Sequence, residues 1–130
     1  MQTLKSQKKV PMTLSLSEHL LSLESCEING VSIDRDYRDS HALYLMKCME
    51  RGKFRYDMVM FITACCLNKK IGGHDKGTVF RFNGKHTCKA FAAHAAGDRT
   101  LKFDGPELRH YECDTEEDMR DLFRSLDRGL

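Results

Sequence analysis

Tryptophan is absent from this 130-residue chain, proline occurs twice, and no apolar run approaches the ~20 residues that a membrane-crossing helix needs. With 41% hydrophobic and 31% charged residues, the composition excludes a disordered chain and leaves enough apolar material for a real core. A cytoplasmic protein without a membrane segment is the expectation. Six cysteines are present but no CxxC pair, and Cys48, Cys65, Cys88 and Cys66 fall in apparent helices, so the thiols read as reduced and partly buried. Also missing is a Gly-x-Ser-x-Gly elbow or any other paired nucleophile and base, which argues against a hydrolase. The spacings among His74, His86, Cys88, His94, His110 and Cys113 match no zinc signature, and no metal ligands are assigned.

What is present is a strong partition of charge under a small net value of +2. Residues 47–102 hold twelve basic and four acidic side chains, whereas residues 103–130 hold four basic and nine acidic ones. A basic middle suggests a polyanion or nucleotide as partner; a nonspecific DNA binder would be more basic overall. Within that block, Lys69, Lys70, His74, Lys76 and Arg81 form a candidate polyanion patch on and beside a glycine- and lysine-rich loop. The acids Glu112, Asp114, Glu116, Glu117, Asp118 and Asp121 are read first as helix-start acids opposing a dipole, and only secondarily as a metal site or nucleic-acid mimic.

The densest local signal lies at Thr78-Val79-Phe80-Arg81-Phe82-Asn83-Gly84-Lys85-His86-Thr87-Cys88-Lys89-Ala90. A β-branched and aromatic run meets a glycine, and a helix-forming run follows at once. A strand that turns directly into a helix aims the first free N–H groups of the helix outward, where they and the dipole favour an anion. Gly84, Lys85, His86, Thr87 and Lys89 are therefore the candidate phosphate-binding residues.

Along the rest of the chain, residues 1–11 read as a flexible basic tail and 12–130 as one domain. Asn29-Gly30 marks a turn, and Val31-Ser32-Ile33 suggests a short strand. A helix should begin at Asp39-Ser40 and stop at Gly52. Asp57 is expected to cap a second helix sharing Met58, Phe61, Ile62 and Cys65 on one face. A strand over 78–83 is predicted to bury Phe80 and Phe82 and to turn Val79 and Arg81 the other way. The next helix, 85–96, should bury Cys88, Phe91, Ala92 and Ala95; a strand over 108–113 and a helix opened by Thr115-Glu116-Glu117-Asp118 complete the order. The fold class is α/β, bordering on α+β.

This order, and the residues at its junctions, resemble the ParB/sulfiredoxin superfamily, in particular the ParB amino-terminal domain and its phage and plasmid relatives. The matching segments are Arg38 to Phe54, Phe80 to Ala90, and Leu108 to Gly129. The resemblance implies a small mixed sheet packed by about four helices and a nucleotide-holding turn at Gly84, as for CTP in ParB and ATP in sulfiredoxin, with Mg as a possible companion of the triphosphate. It also implies a phage or mobile-element origin. Thr87 stands where the family motif ends in arginine, Lys85 occupies the position of sulfiredoxin's reactive cysteine, and ParB's following DNA-reading domain has no counterpart. The expected function is thus non-catalytic binding of a nucleotide or nucleic acid. The alternative is an interaction module or inhibitor acting on a host nucleic-acid-targeting defence complex; a nuclease comes third. Oligomeric state is left open.

Overall fold

The computed structural model describes residues 1–28, 31–32, 37–98 and 100–129. Five strands form one mixed sheet. Its centre is β5 (Met60–Cys66), flanked by β7 (Lys102–Cys113) in parallel and by the short β6 (Phe80–Arg81) antiparallel. Outside β7 runs β1 (Gln2–Thr13), antiparallel, and outside β6 runs β2 (Glu24–Ser25), parallel, giving the order β1-β7-β5-β6-β2. A separate two-stranded ribbon pairs β3 (Glu27–Ile28) with β4 (Val31–Ser32). The Asn29-Gly30 turn between them and Ile33 lie outside the described residues.

Four helices cover the two faces. α4 (Glu116–Gly129) packs Met119 and Leu122 onto Ile62, Ala64, Cys66, Phe80, Phe82 and Cys113. The other face carries α1 (Leu14–Ser22) and α3 (Lys85–His94), which bury Leu20, Cys88, Ala90 and Phe91 with Phe61 and Met12. α2 (Asp39–Glu50) contributes Met49 to that second core. This is a small α/β domain with a five-stranded mixed sheet and four helices among the described residues.

Three helix boundaries follow the sequence closely. α2 begins at Asp39 and ends in a Schellman arrangement: Gly52 has φ +68°, its N–H donates to the Met49 carbonyl, and the Lys53 N–H donates to the Cys48 carbonyl. α3 starts at Gly84 and buries Cys88, Phe91 and Ala95, with Ala92 half-buried. α4 opens with a reciprocal cap: the Asp118 N–H donates to Thr115 Oγ1 at 3.1 Å, and the Thr115 N–H donates to the Asp118 carboxylate at 3.2 Å.

Several expectations are corrected. The segment after Asp57 is not a helix: Tyr56–Met58 make one 3-10 turn, and Met60–Cys66 is the central strand. Phe61-Ile62-Thr63-Ala64-Cys65-Cys66 is buried on both faces, so its apolar residues run on without the alternation that marks a half-exposed strand. Cys65 and Cys66 therefore lie in a strand, while Cys48 and Cys88 are helical; all six thiols are free. Residues 1–11 are not a tail but most of β1, whose register with β7 runs from Gln2 opposite Cys113 to Thr13 opposite Lys102. Lys5, Lys8, Lys9 and Pro11 on this outer strand are features that keep a sheet edge from pairing with other chains. The strand expected over 78–83 narrows to Phe80–Arg81, and the one expected over 108–113 begins at Lys102.

Candidate nucleotide cleft at the Gly84 turn

The turn is built by two residues with separate tasks. Asn83 replaces a strand residue with its side chain: the Ile62 N–H donates to Oδ1, and Nδ2 donates to the Met60 carbonyl, each at 2.9 Å. Both strand groups are thereby satisfied just where β6 leaves the sheet. Gly84 then turns the chain with φ +89° and ψ 5° to become the N-cap of α3. A Cβ at this position would lie 2.6 Å from Phe61 Cδ1, so left-handed backbone and close approach both demand glycine.

Because the Cys88 N–H makes the first α-type bond, to the Gly84 carbonyl, the N–H groups of Lys85, His86 and Thr87 belong to the unclosed first turn. His86 does not point into open solvent. Its Nε2 accepts the backbone N–H of Arg38 at 3.0 Å, which places the ring proton on Nδ1 and ties the start of α2 to the start of α3. The His86 ring also stacks on Tyr37 (centroids 4.7 Å, 23°) and meets His41 edge-on (4.7 Å, 79°). Lys85 Nζ lies 4.5 Å from the centre of the Tyr37 ring. Burial, aided by the Asp39 carboxylate, pushes the Tyr37 hydroxyl up, so this ring stays neutral.

Arg38, Ser40, His41, Tyr44 and His86 line an open cleft of about 410 Å³ at this junction. His41 and Tyr44 lie nearly parallel at 6.4 Å, and Tyr44 is 62% exposed, so the row of rings ends on a face available to a ligand. Of the candidate phosphate residues, His86 lines the cleft, Lys85 lies beside it over the Tyr37 ring, and Gly84 packs on Phe61 behind them. Thr87 is half-buried, and Lys89 is exposed one turn further along α3. Tyr37, Arg38, Ser40, His41 and Tyr44 were not singled out from sequence; only the Asp39-Ser40 helix start hinted that a second N-terminal turn existed.

The polyanion patch does not assemble around this cleft. The Lys69–Lys76 loop follows the carboxyl end of β5, where the Gly77 N–H donates to the Cys66 carbonyl, while Gly84 packs on Phe61 at the strand's other end. Five residues of strand separate them, about 17 Å. The basic side chains of the loop also face acids: Lys69 Nζ lies 3.0 Å from Glu116 and Lys70 3.9 Å from Asp75, while His74 Nε2 lies 3.7 Å from Glu24 and Lys76 is exposed. Arg81 is no surface cation. It is 3% exposed and donates from Nη1 to the Leu20 carbonyl at 3.2 Å, fixing the carboxyl end of α1 to the sheet. The alternation that turned Arg81 away from Phe80 and Phe82 is present, but both faces of the sheet are covered.

The acids of the carboxyl third are likewise distributed among structural tasks. Asp114 and Asp118 face the Met1 amino group, Glu112 pairs with Lys5 at 3.4 Å, and Glu116 holds Lys69. Contact with the amino group holds the Asp118 carboxyl below its usual range. Of the histidines and cysteines considered as metal ligands, Cys88 and Cys113 are fully buried, with burial pushing each thiol up to about 12. His94 packs edge-on against Phe91 and His74 against Phe80. His110 alone joins a group of donors among the described residues, and its companions are Cys65 and Glu112.

No protein-family model, curated protein or solved structure matches this chain.

Proposed function

We propose that the cleft between the first turns of α2 and α3 binds a nucleotide through its phosphates, without catalysing a reaction on it. The observation that carries this reading is the convergence of two helix N-termini, locked by the His86–Arg38 hydrogen bond, beside two cations and an exposed ring. Both helix dipoles present their positive ends there, and Arg38 and Lys85 add full charges. Tyr44, at the outer end of the ring row, offers a face on which a base can stack, a contact worth roughly 1–3 kcal/mol. The cleft volume falls in the range of small-molecule sites. A single nucleotide is favoured over a nucleic-acid strand because the basic loop that would extend the track lies at the far end of β5 and is paired with acids.

Kinship with the ParB/sulfiredoxin superfamily belongs to this proposal. Its support is the order of strand, Gly84 turn, helix, strand and acid-capped helix over a small mixed sheet. Thr87 leaves the motif without its terminal guanidinium; Arg38, which lines the same cleft from α2, supplies one from a neighbouring element.

The test is calorimetric titration with nucleoside triphosphates, inorganic triphosphate and an unphosphorylated nucleoside at low and moderate salt. Triphosphates should bind, more weakly as salt rises, and Arg38→Ala and Lys85→Ala should each cost about tenfold, the loss of one charge-assisted contact. Arg38→Ala keeps the backbone N–H that His86 accepts, so the cleft survives that change. Absence of triphosphate binding at low salt, or equal binding by both variants and the unaltered chain, would sink the proposal.

A further inference from the structure

We infer that Cys65, His110 and Glu112 form a binding site for one zinc-class divalent cation, on the opposite half of β5 from the nucleotide cleft. The strand register sets the group up. β5 and β7 run parallel, with Thr63 opposite His110 and Cys65 opposite Glu112, so four alternating side chains share one face of the sheet. One donor atom from each of Cys65, His110 and Glu112 lies within 4.8 Å of the other two, and Cys65 Sγ is 3.9 Å from His110 Nε2. A tetrahedral zinc with bonds of about 2.3 Å to sulfur and 2.0 Å to nitrogen sets its ligand atoms roughly 3.6 Å apart. The observed spacing thus needs closure by a few tenths of an ångström between sulfur and nitrogen, within reach of side-chain rotation.

A second observation points the same way. His110 Nδ1 lies 2.9 Å from Thr63 Oγ1, a hydroxyl on the neighbouring strand. With Nδ1–H donating to that hydroxyl, the lone pair of Nε2 is turned toward Cys65 and Glu112, which is the tautomer and ring setting a metal-bound histidine requires. Thiolate, imidazole and carboxylate together select zinc or its chemical analogues; magnesium and calcium prefer all-oxygen shells. Three protein ligands leave a fourth position for water or another small ligand. Access is through Glu112, whose side chain is 30% exposed and whose Oε1 is held 3.4 Å from Lys5 on β1, so Lys5 competes with the cation for this carboxylate.

The experiment is titration of the full chain with cobalt(II), reading the near-ultraviolet thiolate-to-cobalt band and the intense visible bands of a tetrahedral ion, followed by displacement with zinc. One equivalent should bind and be displaced. Cys65→Ser should abolish the thiolate band, while Cys48→Ala should keep it. Thr63→Val leaves all three ligands but removes the hydroxyl that orients His110, and should weaken binding about 10- to 100-fold. Lys5→Ala should tighten it by freeing the carboxylate. Folding of each variant is followed by far-ultraviolet circular dichroism; if Cys65→Ser does not fold, the more exposed Glu112→Gln takes its place and should weaken binding at least tenfold. Absence of one-equivalent binding, a thiolate band that survives Cys65→Ser, or Glu112→Gln binding as tightly as the unaltered chain would overturn the site. Because the readout is cobalt absorption, its failure is distinguishable from failure of the nucleotide cleft.

Discussion

Replacing Gly84 with alanine tests the turn that positions the cleft, and its cost can be worked from two separate terms. At φ +89° the backbone lies in the left-handed region, which costs an L-residue roughly 1–2 kcal/mol. The new Cβ would also sit 2.6 and 2.8 Å from two ring carbons of Phe61, a side chain only 1% exposed and packed between β5 and α3. Forcing that ring aside should add about 1–3 kcal/mol of overpacking. Gly52→Ala supplies the internal control: Gly52 is left-handed at φ +68°, but nothing lies within 4 Å of its Cβ position, so only the first term applies. Urea unfolding followed by far-ultraviolet circular dichroism gives both values; with no tryptophan in the chain, circular dichroism is the more direct signal. Gly84→Ala should cost about 2–5 kcal/mol in all, exceeding Gly52→Ala by the overpacking term. Equal costs for the two substitutions would refute the claim that Gly84 is packed too closely on Phe61 to carry a side chain.

Other expectations follow from the same geometry. Asn83→Ala removes both partners of the Ile62 N–H and Met60 carbonyl and should cost about 2–4 kcal/mol in urea unfolding, whereas a cost under 0.5 would show that water replaces the amide. Native hydrogen exchange should reveal protected amides within residues 2–13, alternating along β1; free exchange throughout residues 2–10 would restore the flexible tail. Burial pushes the Cys26, Cys88 and Cys113 thiols up to about 12 from an ordinary value near 9, so the unfolded chain loses these protons first. Their contribution to stability is full below pH 9 and is lost as pH rises toward 12; a urea midpoint that held or rose between pH 9 and 10.5 would contradict this.

Sequence carried the helices that announce their own ends. Gly52 closes α2 and Gly84 opens α3 through left-handed backbone that favours glycine, and Thr115 with Asp118 caps α4; α2 does begin at Asp39, but its N-cap is Arg38 and no side chain caps it. Strands were legible where a β-branched and aromatic run meets a turn residue, as at Phe80–Arg81; the polar β1 and the all-apolar β5 carry no such mark. Met58 in the turn before β5 and Phe61, Ile62 and Cys65 within it happen to fall at helical spacing, and residues 60–66 become a strand because β7 and β6 pair with them from distant parts of the chain. α1 went unassigned although Thr13 caps it, its hydroxyl accepting the Leu16 N–H at 3.0 Å, because its leucines at 14, 16, 20 and 21 do not keep a helical stripe.

The candidate site divides the same way. Gly84, Lys85 and His86 are contiguous and could be read from the chain. Arg38, His41 and Tyr44 reach the cleft, and Tyr37 reaches His86, only through packing of α2 on α3, a contact between segments about forty-five residues apart that no local pattern encodes. The cation site depends even more on topology: Cys65, His110 and Glu112 meet because β5 and β7 are parallel neighbours, and an expected helix at Cys65 hides the meeting. Arg81 shows the reverse error, a charged residue whose surroundings decide its role after its strand position has been read correctly.

The nucleotide cleft is tested most directly by following backbone amide resonances of the isotopically labelled chain during titration with a nucleoside triphosphate at low salt. The account predicts saturable shifts concentrated at Asp39, Ser40, Lys85, His86 and Thr87, reproduced in smaller measure by inorganic triphosphate and needing about tenfold more ligand in Arg38→Ala. Shifts centred on the Lys69–Lys76 loop, or none at either helix start at millimolar ligand, would contradict it.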